Sequence, residues 1–569
     1  MVIKNNIIFF NIIIWFLENR NIKIYIKKTI MIVKNIITFF MLSFGFSKLE
    51  LLGEVKNEMK GKKLNTSQIF LFLILLGSVF IMLSCFHPYM WFDESYTIAL
   101  IQHPFKEIWT IGSHDVHPIL YYFLAHIIFK VTKSIICVRL FSSVPIIIMS
   151  ILGYTHIRKD FGNKVGLMFS FLTLFFPSLL TYSGELRMYT WAMLFVTIMS
   201  IYAYRLYEEN NAGTNNKTLN QVASDNEIKN WIIFSIFSLF SAYTHYYALV
   251  IAAIVNILLL IVFVKRKEKV NIKRELISAV IQVLLYLPWI GILSKQVNTV
   301  SRGYWIGNPN FVNIIKFIFT GALSSFSYIP DKIAIPFSFA MLIFLIYLLC
   351  KNWKKKGIKP VKLVVLIWSL LLILIRLISL VMGESIFYER YLFTLIGLLV
   401  FQLSFLASRE NKKVIAIFCL CILAFSTFIN ANMININYDK SNKEPIEYLK
   451  QNIQVSDYIV VWNKNGTNSG FSSIAYILSK CYCQHNNIYY YNIQNWSTDG
   501  AYEAYGKTIY ELNDLNNIYG RIWILSSEGL ENDFVSKYND AKIVEQKSFK
   551  TKYHDYEYQF TLIERKKNT

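Results

Sequence analysis

The sequence predicts a polytopic α-helical membrane protein with a C-terminal α/β domain, and three observations carry that expectation. Hydrophobic residues make up 54% of the 569 residues and charged residues only 17%, against about 25% charged in soluble proteins. The apolar residues fall in runs of about 17–22, close to the roughly 20 that cross a hydrocarbon core as helix. After residue 432 those runs stop, and short β-rich segments alternate with helical ones.

Residues 1–62 read as an N-terminal extension without firm structure. Their weak apolar runs are broken by Lys34 and by the polar segment 18–23, with Met41 or Met59 as alternative starts, and no cleavable signal-peptide pattern is evident. The first full span is 68–86. Further spans fall at 137–157, 165–181, 190–207, 231–245, 247–264, 275–293, 334–350, 361–382, 391–407 and 414–431, about eleven in all within a transmembrane domain at 63–431. The stretch 119–132 would be only about 20 Å long as a helix, and 311–328 is polar at both ends. Both are read as interfacial helices.

A formal net charge of +22 raises the question of nucleic acid, but its placement argues against such a partner. Lys and Arg gather in the short connectors 265–275, 351–359 and 408–413, as the positive-inside bias requires of cytoplasmic loops. The charge therefore marks orientation, with anionic membrane lipid as its partner. The N-terminus is expected in the cytoplasm. The segments 87–118, 182–189, 294–333 and 383–390 share the external face with the C-terminal domain. Seven cysteines are scattered without metal-ligand spacing, and Cys481 and Cys483 stand too close for an easy disulfide.

The domain at 432–569 reads as helix 443–452, strand 457–462, helix 471–480, strand 487–493, helix 505–513, strand 521–526, helix 528–539 and a hairpin from 542–548 to 556–564. A mainly parallel sheet is expected. No glycine-rich phosphate loop follows the first strand, so the domain is expected to be an accessory one rather than a nucleotide site.

Chemistry concentrates in the external segments. The first opens with Asp93 and Glu94 and continues to Asp115, His117 and Pro118. The second brings Glu185, Arg187 and Tyr189, and the late turn 383–391 adds Arg390. Carboxylates and arginines from turns far apart in sequence suit transfer of a group from a lipid phosphate. A carboxylate can take the proton of an incoming hydroxyl, and arginine or a metal can neutralise the leaving phosphate. His245, inside an apolar run, is as readily a hydrogen-bonded structural histidine as a ligand. Arg376 either snorkels to the external interface or serves the site, as an intramembrane arginine does by default.

The order of these motifs is familiar. Asp93-Glu94 after the first span, Asp115-x-His117-Pro118-x-Leu120-Tyr121-Tyr122, Ser183-x-Glu185-x-Arg187-x-Tyr189 and Thr244-His245-Tyr246 resemble the dolichyl- and polyprenyl-phosphate-mannose protein mannosyltransferase-like enzymes. These belong to the membrane-embedded GT-C glycosyltransferases: family 39 and its bacterial relatives, which include aminoarabinose transferases of lipid A. The resemblance covers about residues 68–430. It implies a GT-C fold and inverting transfer of a hexosyl or pentosyl group from a polyprenyl-phosphate sugar to an acceptor hydroxyl on the external face. The acceptor would be an envelope glycan, a lipid or a protein. By the same resemblance Asp93 would be the catalytic base. Glu94, Asp115, His117, Glu185, Arg187, Tyr189, His245, Arg376 and Arg390 would bind substrate. Asp115 and His117 would hold a divalent cation (Mg or Mn) if one is used. Ile119 after Pro118, and Gly184 before Glu185, depart from the family pattern and leave the subfamily open. The C-terminal domain lacks the β-trefoil repeats of the eukaryotic branch. A transporter or flippase of lipid-linked sugars is the alternative, and it would call for internal repeats and charges near the midplane, which the sequence does not show.

Overall fold

The computed structural model describes residues 65–208, 217–301, 307, 310–323, 325–463, 485–492, 501, 506–526 and 530–566. The expected N-terminal extension and the helix at 471–480 lie outside them. The chain divides into a compact unit ending at Leu75 and a second comprising 76–569. The described part of the first unit is the start of the helix Thr66–Met82. A reciprocal cap opens it: the Gln68 N–H donates to Asn65 Oδ1 at 2.9 Å, and the Asn65 N–H donates to Gln68 Oε1 at 3.0 Å, satisfying two donors that a helix start leaves free.

Among the described residues of the second unit, seven helices are long and apolar enough to cross a membrane: Ile135–Phe161, Tyr246–Lys265, Lys269–Val300, Asp331–Asn352, Lys359–Met382, Glu389–Ala407 and Lys412–Asn437. Thr66–Met82 and Asn163–Phe175, counted as spans from sequence, are shorter apolar helices. The stretches 119–132 and 311–328 become the helices Leu120–Thr132 and Phe311–Thr320.

Burial sorts these helices. Ile135–Leu152, Asn163–Phe175, Tyr189–Glu208 and Ile396–Ala407 are largely enclosed by other helices. The outer helices instead turn large apolar side chains outward, among them Val280, Leu284, Ile343, Leu377, Val381 and Leu420. Exposed apolar surface on that scale is unstable in water and at rest in lipid. The inner helices cross closely at Gly153 and Gly166. A Cβ on Gly166 would stand 2.6 Å from the Gly153 carbonyl oxygen and 2.8 Å from Arg158 Cα, so backbone meets backbone there.

Two ends of the bundle differ in chemistry. At one, the basic connectors meet: Arg205 pairs with Asp160 at 2.9 Å, Arg266 donates to the Tyr207 carbonyl at 2.7 Å, and Lys351 pairs with Glu410 at 2.7 Å. Helix Tyr189–Glu208 leads from that end, at Arg205, to Tyr189, about 24 Å away at 1.5 Å per residue. Around Tyr189 the acidic turns assemble, as described below. Basic connectors thus gather at one end of the bundle and acidic turns at the other.

Among its described residues the C-terminal region forms a six-stranded sheet of order β3-β2-β1-β4-β6-β5: β1 Tyr458–Asn463, β2 Ile488–Asn492, β3 Lys507–Ile509, β4 Gly520–Ser526, β5 Ala541–Lys550 and β6 Glu557–Arg565. Strands β1 to β4 pair in parallel, while β6 runs antiparallel to β4 and β5. The helix expected at 505–513 is instead β3 followed by a 3-10 turn at Leu512–Leu515. Lys507, Thr508 and Ile509 pair with Tyr489, Tyr490 and Tyr491, and edge pairing overrides a weak local helix preference. Val460, Ile522, Ile524, Ile563, Leu515 and Phe534 form the core on one face. Buried Asp457 accepts from Trp523 Nε1 at 2.8 Å and from Arg521 Nε at 3.0 Å.

Because the Gly153–Gly166 crossing has no room for a side chain, Gly166→Val is expected to cost about 1–3 kcal/mol, read as a lowered melting temperature of the detergent-purified protein. An unchanged melting temperature would show that the crossing can open without loss.

Candidate active site

The site is organised by a buried ion pair. Glu94 lies in the first turn of the helix Phe92–Leu100, and Arg139 in the helix Ile135–Leu152. Arg139 Nη1 donates to Glu94 Oε1 at 2.6 Å and Nη2 to Oε2 at 3.1 Å. Glu94 also accepts from the Leu186 N–H at 2.9 Å, the Trp91 N–H at 3.3 Å and the Tyr553 hydroxyl at 3.1 Å. Arg139 further donates to the carbonyls of Gly184 at 2.7 Å and Tyr89 at 2.6 Å. A buried charge is tolerable only when it is paired and its remaining hydrogen-bonding groups are largely met; here both Glu94 oxygens and both terminal Arg139 nitrogens are engaged, and Arg139 Nε alone of the pair has no partner. Glu94 is therefore a fastener, binding the start of its own helix, the 184–187 turn and the β5–β6 hairpin to one arginine.

That fastening presents Asp93 and the Glu185–Arg187 turn toward Arg390. Asp93 Oδ2 is 2.8 Å from Arg390 Nη1, and Glu185 Oε1 is 3.8 Å from the same nitrogen. The Arg390 side chain is 4% exposed, and those of Asp93 and Glu185 are 16% and 13% exposed. Burial raises the Asp93 carboxyl, but Arg390 and Arg187 outweigh it and hold it below its ordinary value. Burial, reinforced by Glu94 and Asp93, pushes Glu185 up to about 8 against the opposing arginines. Two neighbouring carboxyls thus sit in opposite protonation states near neutral pH, the division of labour on which acid–base sites rely.

Arg187 links this group to the second motif. Its Nη1 donates to the Tyr122 hydroxyl at 3.2 Å, and that hydroxyl donates to Asp115 Oδ2 at 3.1 Å. The Val116 N–H donates to Asp115 Oδ1 at 2.7 Å. Burial raises the Asp115 carboxyl, opposed by Arg187 and these donors. Burial, with Arg187 beside it, holds the His117 imidazole well below its usual value and so neutral. An aromatic floor completes the group: His245 lies with ring centroids 5.8 Å from His117, 5.7 Å from Tyr189 and 5.0 Å from Tyr391. Arg390 is stacked over Trp91 at 5.3 Å, Tyr189 at 5.3 Å and Tyr388 at 5.1 Å.

Of the residues singled out from sequence, Asp93, Glu94, Asp115, His117, Glu185, Arg187, Tyr189, His245 and Arg390 converge on this end of the bundle. His245 has a structural task as well, since its Nδ1 accepts from the Tyr247 N–H at 3.1 Å and caps the helix Tyr246–Lys265. Arg376 stands apart, on an exposed face of Lys359–Met382 beside Ile373 and Leu377. An arginine among outward apolar side chains snorkels rather than joining a buried cluster. Asp115 and His117 do not combine with a third ligand: among the described residues no group of three His, Cys, Asp or Glu side chains could hold a metal ion. Asp115 is occupied instead by Tyr122 and a backbone N–H.

Several buried donors in this group are unspent. Among the described residues, Arg187 Nε, Arg390 Nε, the Tyr189 hydroxyl and His245 Nε2 have no hydrogen-bond partner. Two guanidinium groups, Arg187 and Arg390, with these donors unspent, form an arrangement suited to a bound anion. Beside this group, on the far side of Glu185, lies a pocket open to solvent with about 540 Å³ of empty space, lined among others by Trp91, Glu94, Glu185, Tyr328, Tyr553 and His554.

Sequence reasoning passed over Arg139 and Tyr553. Glu94→Gln would leave Arg139 buried without its charge partner, expected to cost about 3–5 kcal/mol and to lower the melting temperature far more than Asp93→Asn. Equal shifts for the two variants would refute the fastener role of Glu94.

No protein-family model and no curated protein matches the chain. Among solved structures, ArnT from Cupriavidus metallidurans in the apo state is similar at 8% identity and a TM-score of 0.58, over 87% of this chain and 97% of that one. The same protein bound to undecaprenyl phosphate is similar at 10% identity and a TM-score of 0.54, with the same coverage. At such identity the likeness is one of architecture, and it agrees with the helices and sheet described above: the chain has the GT-C fold, a polytopic helical membrane protein with a small C-terminal α/β domain.

Proposed function

We propose that the chain is an inverting glycosyltransferase that moves a monosaccharide from a polyprenyl-phosphate donor to an acceptor hydroxyl on the external face of the membrane. One observation carries the reading: an ionised carboxylate, Asp93, stands against two buried arginines whose donors are not all used, at the end of the bundle away from the basic connectors. That the similar ArnT structure was obtained with undecaprenyl phosphate supports a lipid phosphate as the anion. The external assignment follows from the positive-inside bias of the connectors at the other end.

In the proposed step the acceptor hydroxyl gives its proton to an Asp93 carboxylate oxygen while its oxygen attacks C1 of the sugar from the face opposite the phosphate. The C1–O bond breaks, and its electron pair leaves on polyprenyl phosphate. Inversion at C1 follows from the single displacement. Arg390 and Arg187 neutralise the phosphate as charge develops on it. Arg390 also lowers the basicity of Asp93, so proton transfer is easiest once the leaving phosphate draws that guanidinium toward itself. Protonated Glu185 can donate to a phosphate oxygen, which an ionised carboxylate would repel. No step here requires a metal.

Asp93→Asn is expected to lower transfer by about 10²–10⁴-fold while the protein still inserts and accumulates. The assay presents purified protein with a panel of polyprenyl-phosphate sugars and follows released polyprenyl phosphate by mass spectrometry. Unchanged turnover would remove Asp93 from the base role. The raised value of Glu185 sets a pH dependence of known sign. Its proton, held up to about pH 8 rather than to the ordinary 4.5, is lost as pH rises, and the new charge faces the bound anion. Affinity for polyprenyl phosphate is therefore expected to fall between about pH 7 and 9, and Glu185→Gln to abolish that fall. The same fall in the variant would place the titration elsewhere.

A further inference from the structure

The β5–β6 hairpin belongs to the C-terminal domain, yet its turn reaches the site. His554 and Asp555 at its tip have φ of 57° and 53°, left-handed conformations that are uncommon outside glycine and that persist where surrounding contacts fix them. Those contacts are specific. The Tyr553 N–H donates to Asn442 Oδ1 at 2.9 Å, and Lys552 Nζ is 3.2 Å from Asp439 Oδ2. The His554 ring is held between two aromatic faces, with centroids 3.9 Å from Phe326 and 5.2 Å from Trp91, both nearly parallel. Tyr553 is buried, and its hydroxyl donates to Glu94 Oε2 at 3.1 Å.

The consequence runs through Glu94. Its other oxygen, Oε1, accepts from the Leu186 N–H, between Glu185 and Arg187. A carboxylate held at Oε2 by Tyr553 and at both oxygens by Arg139 cannot turn about its last torsion, so the 185–187 turn is fixed in register with Asp93 and Arg390. Without the Tyr553 hydroxyl, Oε2 keeps only Arg139 and the long Trp91 contact. The His554 sandwich acts as the latch. With both ring faces occupied it offers no platform to a sugar, and it instead forms one wall of the solvent-open pocket that Glu94 and Glu185 also line.

We infer that the β5–β6 hairpin tip is a built wall of the active site, with Tyr553 a positioning residue that acts through Glu94 on Glu185 and Arg187, and the His554–Trp91–Phe326 stack holding that wall against the acceptor side of the cavity. The inference rests on the glycosyltransferase reading for its kinetic consequence. The C-terminal domain would then be part of the catalytic assembly and would help to decide which acceptor enters.

The test compares Tyr553→Phe, Tyr553→Ala and His554→Ala in the full-length purified protein, with initial rates measured against donor and acceptor concentrations separately. Tyr553→Phe keeps the ring and loses only the hydroxyl. It is expected to lower kcat about tenfold, the loss of one hydrogen bond to a charged group, with the donor KM nearly unchanged. His554→Ala is expected to raise the acceptor KM and to increase the slow hydrolysis of donor by water, because the cavity wall loosens. If Tyr553→Phe matches wild type while Tyr553→Ala is impaired, the tyrosine merely fills space and the positioning role is overturned. If His554→Ala leaves both acceptor KM and hydrolysis unchanged, the wall role is overturned. A wild-type protein that consumes no polyprenyl-phosphate sugar in the panel would instead defeat the glycosyltransferase reading. The hairpin would then still be judged by a double-mutant melting cycle of Tyr553→Phe with Glu94→Gln: non-additive shifts support their coupling, and additive shifts refute it.

Discussion

The arrangement depends on one buried ion pair. Glu94 and Arg139 are both almost fully enclosed, in surroundings where an unpaired charge would be prohibitive. Five hydrogen bonds to the glutamate and two further carbonyl contacts from the arginine offset that desolvation. These bonds come from the 89–94 segment, the 184–186 turn, the helix Ile135–Leu152 and the C-terminal hairpin. The pair therefore gives up freedom to act as acid or base and supplies a rigid frame. Its neighbour Asp93, one residue earlier, lacks that set of partners and faces Arg390 instead. Adjacent acids in one turn thus meet different partners because their side chains leave the helix in different directions.

The acidic turns were legible in the sequence because membrane proteins separate their charges. Once the spans are counted and the basic connectors assigned to one side, Asp93, Asp115, Glu185 and Arg390 must share the other, and the structure gathers them. Arg139 was not legible in the same way, though its signal was present. It interrupts the apolar run Ile135–Leu152 as Arg376 interrupts Lys359–Met382, and the rule that an intramembrane arginine marks function applies to both. What separates them is which face of the helix each occupies. Arg139 points into the enclosed bundle and Arg376 lies on the outer surface, and hydropathy alone does not report that distinction when a helix is apolar all round.

The C-terminal domain divides similarly. Its strands rich in Ile, Val, Tyr and Trp were readable from β-propensity, and the closing hairpin was placed within a few residues. The segment 505–513 was misread because three residues of edge strand carry too little pattern to compete with a helical reading. The role of the hairpin tip was hidden for a different reason. Tyr553 and Glu94 are separated by 459 positions, and no local periodicity encodes a contact of that range. The left-handed pair His554–Asp555 has no sequence signature as clear as glycine.

If the two arginines hold a lipid phosphate, that contact must be measurable without turnover. Equilibrium binding of undecaprenyl phosphate to the detergent-purified protein, compared with an Arg187→Met/Arg390→Met double variant that retains its helical circular-dichroism spectrum, tests this directly. Saturable binding is expected for the wild type, weakened by at least about a hundredfold in the variant, as befits the loss of two charge-assisted contacts. Equal binding by both proteins would contradict that contact.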